Sequence, residues 1–312
     1  MLKYVLKRLG YILVTLWVIV TCTFFMMKNL PGTPFDAERF SIMTPQQQER
    51  VLEMYGLNDS LPMQYVKYIK NMLKGDLGTS FTYVNQDVSK VITGRLGPSA
   101  LIGIQAVLIG LAIGLILGIL AAWKHNSGID YFTMILAVLG VSVPNFVAAA
   151  LLQYYIGLKW GALPVGFWTG WNCSVLPSIA LSFSATAMVA RFMRTEMLDV
   201  LDQDYIVTAR AKGLSQMKVL MRHAVRNSIL PVVTILGPIV VNLMTGSLAV
   251  ENIFSIPGIG SLFVDCIKAN DYPVIMGITI FYAAFYMLIV LRVDLAYSLI
   301  DPRIRLAKGK ES

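Results

Sequence analysis

The chain has 312 residues, of which 56% are hydrophobic and only 14% are charged, and its mean hydropathy is +0.65. A soluble core does not need this much apolar sequence, so the composition excludes an ordinary soluble domain and indicates a polytopic membrane protein. The formal net charge of +8 does not indicate a nucleic-acid partner, because the basic residues lie in short stretches beside apolar runs rather than on one face.

The first apolar run follows Lys3, Lys7 and Arg8 and extends from residue 9 to residue 30. At about 22 residues it is long enough to cross a bilayer, and no small-x-small cleavage site follows it. We therefore expect residues 1–30 to form a short cytoplasmic tail and a retained first transmembrane helix rather than a signal peptide.

Residues 31–97 are polar enough to form a helical extracellular insertion between the first two spans. Thr44–Gln47 supplies an N-cap, a proline at the first helical position and a capping-box glutamine, and Gly56 ends that helix. A second helix is expected from near Ser60 to Gly75. Its apolar face is predicted to form the insertion's own small core rather than a ligand surface.

Five further spans are predicted within a membrane core of residues 98–300. The expected ranges are about 98–123, 131–158, 175–193, 229–250 and 273–291. Pro144 is expected to bend the third span, and the pair Gly237–Pro238 is expected to break the fifth. In the second span, glycines at four-residue spacing predict close helix packing: Gly110, Gly114 and Gly118.

The distribution of lysine and arginine orients these spans. The proposed inner segments hold 15 of these residues and are 1–8, 124–130, 191–227 and the tail 301–312. The two short outer loops hold one each, Lys159 and Lys268, whereas the long insertion holds seven, which long domains tolerate. We expect an all-α protein with six transmembrane helices and both termini in the cytoplasm.

A polar and basic stretch, Asp204–Pro231, interrupts the apolar runs with the sequence DYIVTARAKGLSQMKVLMRHAVRNSILP. It cannot lie in hydrocarbon, so it is assigned to a cytoplasmic loop of residues 194–228. Asp202 is expected to help cap a short helix that Gly213 ends in a left-handed conformation.

Asp204 is a second candidate cap for that helix, and Ser215 is expected to cap a second one. Two short helices hinged at a glycine suit a groove in another protein.

This stretch resembles the cytoplasmic loop of the permease subunits of ATP-binding-cassette importers, in the dipeptide, oligopeptide and nickel branch. The resemblance rests on residues 209–214 (ARAKGL), Arg222-His223-Ala224, Asn227 and Leu230-Pro231. Val207 stands where the general importer motif has a glutamate. Further matches lie in residues 56–58, 75–80, 251–260 and 301–305.

The resemblance implies a multi-pass cell-membrane permease, similar to the oligopeptide permease B type, that imports oligopeptides or dipeptides and forms half of the translocation pathway. The implied partners are a second homologous permease subunit, two ATP-binding-cassette ATPase subunits, an extracytoplasmic substrate-binding protein and the lipid bilayer. ATP and Mg would be bound by the ATPases, with no cofactor in this chain. The implied ATPase-coupling residues within the 204–231 loop are Tyr205, Thr208, Ala209, Arg210, Ala211, Lys212, Gly213 and Leu214.

No catalytic motif appears, so the chain itself is not expected to be an enzyme. The phosphate-loop pattern is absent, since the pair Gly309-Lys310 is followed by Glu311. Ion-coupled carriers usually carry ionisable residues in mid-membrane, and their absence from the predicted spans favours a separate ATPase. A nickel or glutathione importer of the same family and a self-sufficient secondary carrier remain open alternatives.

Cysteine and histidine usage argues against a metal centre. Cys22, Cys173 and Cys266 are not clustered, and a disulfide between the last two is left open but not favoured. His125 and His223 lie far apart in the sequence and are expected to be ordinary polar loop residues.

Overall fold

The computed structural model of the chain describes residues 2–29, 40, 42–54, 56–83 and 86–300. Every regular element among them is a helix, apart from one isolated antiparallel bridge between Thr79 and Asp87, so the predicted all-α class is confirmed. Five of these helices are long and apolar enough to span a membrane, or six if a bent pair counts as one span. The predicted tail 301–312 and the first part of the predicted insertion, 31–39, lie outside the described residues.

The chain divides into two compact units, residues 1–97 with 258–285 and residues 98–257 with 286–312. The described helices, numbered in chain order, are α1 Leu2–Lys28, α2 Pro45–Met54, α3 Leu61–Leu73, α4 Val88–Trp123, α5 Gly128–Ser142, α6 Asn145–Leu152, α7 Val175–Leu201, α8 Asp204–Ala211, α9 Gln216–Lys218, α10 Arg226–Met244, α11 Leu248–Ile253, α12 Ile259–Lys268 and α13 Tyr272–Ile300. A 3₁₀ turn precedes α7, and π-helical segments continue α6 and α9: Trp171–Ser174, Gln153–Lys159 and Val219–Val225.

α2 and α3 begin at the residues that the sequence predicts as their caps. The Thr44 amide donates to Gln47 Oε1 at 2.9 Å and the Gln47 amide donates to Thr44 Oγ1 at 3.4 Å, which completes the capping box of α2. Gly56 follows α2 with a left-handed φ of +65°, and Ser60 is the N-cap of α3.

The apolar face of α3 packs against the end of α1 within the first unit, which corrects the prediction of a core made by the insertion alone. The Phe24 ring lies 5.4 Å from the Tyr65 ring and 5.7 Å from the Tyr68 ring. The Thr21 and Tyr65 hydroxyls are hydrogen-bonded at 2.7 Å. A helix as short as α3 buries no residue completely, so its tyrosine rings need the apolar cover that α1 supplies.

The second unit is built around α7, and α4 packs closely along it. A Cβ atom added to Gly110 or Gly114 would lie 2.7 Å from the Cβ of Ala185 or Val189, and one added to Gly118 would lie 2.6 Å from the Ala190 carbonyl oxygen. Only glycine fits at this separation, so the close packing predicted for the second span is confirmed.

Several helices extend beyond their predicted ends, among them α4 and α7. α4 begins at Val88, ten residues before the expected start at Pro98, because Val88 is fully buried and holds the first turn. α7 continues to Leu201 rather than stopping near residue 193, because Met197 is fully buried on its inner face. Both extensions contain charged residues, which lower the hydropathy, so a hydropathy-based assignment ends each span too early.

The prolines of the third and fifth predicted spans give opposite results. α5 and α6 meet at 99°, with Val143 and Pro144 extended between them, so the bend predicted for the third span is a break. The predicted break at Gly237–Pro238 is wrong, because α10 runs through both Pro231 and Pro238. A proline removes one bond of the helical ladder, and the packing of α10 against α7 holds the helix together.

Candidate functional site

The polar segment after α7 folds into a short helix that ends in a tight turn. α8 spans Asp204–Ala211, and Gly213 follows it with φ +77°. The Gly213 amide donates to the Arg210 carbonyl at 2.9 Å, and the Leu214 amide donates to the Ala209 carbonyl at 3.4 Å. These two bonds form a Schellman motif, so the predicted left-handed glycine is confirmed.

The two faces of α8 differ sharply in burial. Ile206 and Ala209 are 0% and 5% exposed and belong to the apolar core of the second unit. Ala209 is therefore a packing residue in this chain, and its side chain is turned away from the surface on which a groove contact was expected. The remaining predicted coupling residues are exposed: Tyr205, Thr208, Arg210, Ala211, Lys212, Gly213 and Leu214.

The caps of α8 differ from those predicted. The N-cap is Gln203, Asp202 instead follows the last residue of α7, and no side-chain capping bond forms. Asp204 is the first residue of α8, where its negative charge suits the helix dipole. Sequence alone could not resolve this, because three candidate polar residues stand in succession.

The predicted second short helix is the beginning of the fifth span. Ser215 stands at its N-cap, but the helix continues from α9 through the π-helical segment into α10 without interruption. The Ser228 hydroxyl donates to the Ala224 carbonyl at 2.9 Å and to the Glu196 carbonyl of α7 at 3.3 Å. The Asn227 side-chain Nδ2 donates to the Tyr205 hydroxyl at 3.0 Å, so a hydrogen bond joins α8 directly to α10.

A buried ion pair near this segment was missed by the sequence analysis. Arg194 of α7 donates from Nε and Nη2 to the Asp130 carboxylate of α5 at 2.6 and 2.8 Å. The Asn126 amide and His125 Nδ1 lie 3.0 and 3.1 Å from the same carboxylate. These residues are up to 69 positions apart in the sequence, and each one, considered alone, resembles an ordinary solvent-exposed polar residue of a loop.

The described residues offer no site for a metal ion or a disulfide. No group of three or more His, Cys, Asp or Glu side chains within them is arranged to hold a metal. Cys22, Cys173 and Cys266 are free thiols, so the disulfide left open by the sequence is not formed.

Comparison with known proteins assigns the family. The family described as "Binding-protein-dependent transport system inner membrane component" matches residues 114–306, and its N-terminal counterpart matches residues 1–96. The chain belongs to this family. It is a multi-pass component of the inner membrane, as the resemblance at residues 209–214 and the apolar helices predicted.

The chain is similar in sequence to several transport system permeases over nearly its full length. It is 46% identical to the dipeptide transport system permease protein DppB of Lactococcus lactis subsp. cremoris, over 98% of this chain and 100% of the relative. It is 43% identical to DppB of Bacillus subtilis over 99% of both chains. The oligopeptide transport system permease protein OppB of Salmonella typhimurium is 39% identical over 98% of this chain and 100% of the relative.

The fold of the family member recurs in a crystal structure of an amino acid ABC transporter with histidines. The TM-score is 0.51 at 19% sequence identity, and the match covers 69% of this chain and 94% of the other. At this identity the likeness concerns the fold alone.

Proposed function

We propose that the chain is one of two permease subunits of an ATP-driven, binding-protein-dependent importer for dipeptides or oligopeptides, and that it forms half of the translocation pathway. The observation that carries the proposal is its end-to-end similarity to dipeptide and oligopeptide transport system permeases. A second permease subunit, two ATPase subunits and an extracytoplasmic substrate-binding protein complete the assembly.

In this proposal both termini and the α8–α9 segment are cytoplasmic, and the insertion of residues 31–97 is extracellular. The charge distribution supports this orientation, since residues 191–227 carry seven lysines and arginines while the loops at Lys159 and Lys268 carry one each. The substrate-binding protein docks on the outer loops and the insertion.

The ATPase binds the exposed face of α8. Tyr205, Thr208 and Leu214 enter its groove, and the positive charges of Arg210 and Lys212 meet an acidic rim. Ala211 lies at the contact and Gly213 provides the turn, while the buried Ala209 anchors the helix to the core.

The contacts between α8 and α10 transmit motion to the membrane spans. Because α8 is packed and hydrogen-bonded to α10, a displacement of α8 by ATP-driven closure of the ATPases also displaces the spans. ATP and Mg are bound by the ATPases, and this chain supplies no catalytic group.

The test is purification of the tagged chain in mild detergent, mass spectrometry of the co-purifying proteins, and reconstitution with the binding protein. We expect a second permease, ATPase subunits and vanadate-sensitive uptake of labelled dipeptides or oligopeptides. A chain that purifies alone and takes up substrate along a proton gradient without ATP would instead be a secondary carrier. Uptake of nickel or glutathione but not of peptides would assign one of the other substrates of the branch.

A further inference from the structure

The break between α5 and α6 exposes polar backbone inside an apolar pair of helices. Val143 (ψ 118°) and Pro144 (ψ 138°) are extended, and the two helices separate at 99°. The 15 residues of α5 before the break give about 22 Å of apolar helix, so the break falls within the hydrocarbon layer of a membrane.

Several backbone groups lose their helical partners at this point. Pro144 has no amide hydrogen to donate to the Gly140 carbonyl. The Val147 amide donates to the Pro144 carbonyl at 2.9 Å rather than to that of Val143. The last carbonyls of α5 and the first amides of α6 are left without helical partners, as at any helix end.

Two polar side chains flank these groups. Ser142 is exposed and Asn145 is partly exposed, and neither side chain has a hydrogen-bond partner among the described residues. Unpaired polar backbone is not tolerated against lipid; it occurs at membrane depth only where protein covers it or where it lines a water-filled cavity. The break therefore faces either another protein surface or an aqueous pathway.

An apolar cavity adjoins the break on the same unit. It has a volume of about 860 Å³ and is lined by Gly140 and Val143 at the break and by Ala148, Tyr155 and Phe183 beyond it. Apolar walls with a few polar groups at one edge are typical of a small-molecule site. Ser142 and Asn145 stand next to this lining in the chain without being part of it, and their uncharged side chains offer both donors and acceptors. This combination matches the backbone of a peptide rather than an ion or an acyl chain.

We propose that the break at residues 142–145 lines the translocation pathway and hydrogen-bonds the backbone of the passing peptide, while the adjoining cavity receives apolar side chains. This inference rests on the proposed function. It names Ser142 and Asn145 as contacts that would hold peptides irrespective of their sequence, because every peptide offers the same amide and carbonyl groups.

The test is cysteine labelling in the reconstituted complex, in a parent chain with Cys22, Cys173 and Cys266 replaced. Ser142→Cys and Asn145→Cys are treated with a membrane-impermeant thiol reagent, with and without a saturating transported peptide. The matched control is Ile116→Cys, because Ile116 is 58% exposed but lies in the unbroken helix α4, where nothing requires water.

We expect both break positions to react about tenfold faster than the control or more, and peptide to slow them severalfold. Rates no faster than the control in the resting and the vanadate-trapped states, or fast rates that peptide leaves unchanged, would overturn the inference. Peptide-stimulated ATP hydrolysis by the parent complex is measured first. Its absence counts against the proposed function, whereas its presence with unreactive break positions counts against this site alone.

Discussion

Arg194 and Asp130 form an ion pair through two hydrogen bonds, which joins the C-terminal third of α7 to the first turn of α5. The Asp130 side chain is 2% exposed and that of Arg194 is 21% exposed, so the pair is largely shielded from water. A buried carboxylate that loses its cation is left with an uncompensated charge, whereas a pair replaced as a whole is not.

Arg194→Met is therefore expected to destabilise the chain by about 3–5 kcal/mol, and Asp130→Asn by less, because an amide can remain hydrogen-bonded without a charge. The double variant should recover part of the loss. Thermal unfolding of the purified complex measures these effects. Arg191→Met is the matched control, since Arg191 lies one turn earlier on the same helix and is exposed. Equal losses for Arg191 and Arg194 would contradict the argument.

Gly213→Leu is expected to impair coupling while membrane insertion and assembly remain intact. The φ of +77° disfavours any side chain, by about 1–2 kcal/mol, although no atom lies within 4 Å of the added Cβ. The strain should shift Leu214 and the exposed end of α8, which lowers peptide-stimulated ATP hydrolysis. Gly213→Asn is the control, because asparagine tolerates this conformation and should retain most of the activity. Normal transport by the leucine variant would show that the turn is not needed.

The segment of residues 204–214 separates what can be predicted from the sequence from what cannot. The glycine turn after Lys212 could be predicted because a left-handed residue at a helix end depends on local chain geometry alone. The burial of Ala209 could not be predicted, because it depends on which side of α8 meets the core of the second unit. The ion pair of Arg194 could not be predicted for the same reason, because its partner Asp130 lies 64 residues away in the sequence and is brought close only by the fold.

The prolines of the third and fifth spans show that tertiary packing decides whether a proline interrupts a helix. Pro144 and Pro238 both lie in apolar runs with small residues, and the sequence predicts a bend at the first and a break at the second. One ends a helix and the other lies inside one, since the outcome depends on neighbouring packing. Gly237, beside the second proline, lies against Val293, where an added Cβ would come within 3.2 Å. No local pattern encodes that contact.

We expect the Asp271 carboxylate to fix the conformation of the loop that follows α3. Its carboxylate is fully buried and accepts hydrogen bonds from the Ser80 hydroxyl and from the amides of Phe81 and Thr82 at 3.2 and 3.0 Å. Asp271→Ala removes the acceptor that these donors share, at about 1–3 kcal/mol for each buried hydrogen bond lost. We expect faster proteolysis in the loop and a lower unfolding temperature. Asp265→Ala, at an exposed position nearby, should change neither, and an equal effect there would contradict the assignment.

Cys266 is expected to resist alkylation at neutral pH. Burial, and after it the nearby Asp271 and Asp265 carboxylates, raise the pKa of its thiol to about 12. The thiolate fraction at pH 8 is then about one in ten thousand, against about one in four for an ordinary cysteine. Between the ordinary pKa and the raised one, the folded chain keeps a proton that the unfolded chain has lost, so stability falls as the pH rises through this window.

The measurement for Cys266 is the rate of maleimide modification by mass spectrometry from pH 7 to pH 10, in the native complex and in detergent-denatured chain. We expect full modification after denaturation and almost none before it. Asp271→Asn should accelerate the native reaction, because it removes a negative charge that raises the thiol pKa. It also weakens the attachment of the loop whose Leu77 and Tyr83 pack against the buried cluster that contains Cys266. Rapid native modification at pH 7 would contradict both the burial and the raised pKa of this thiol.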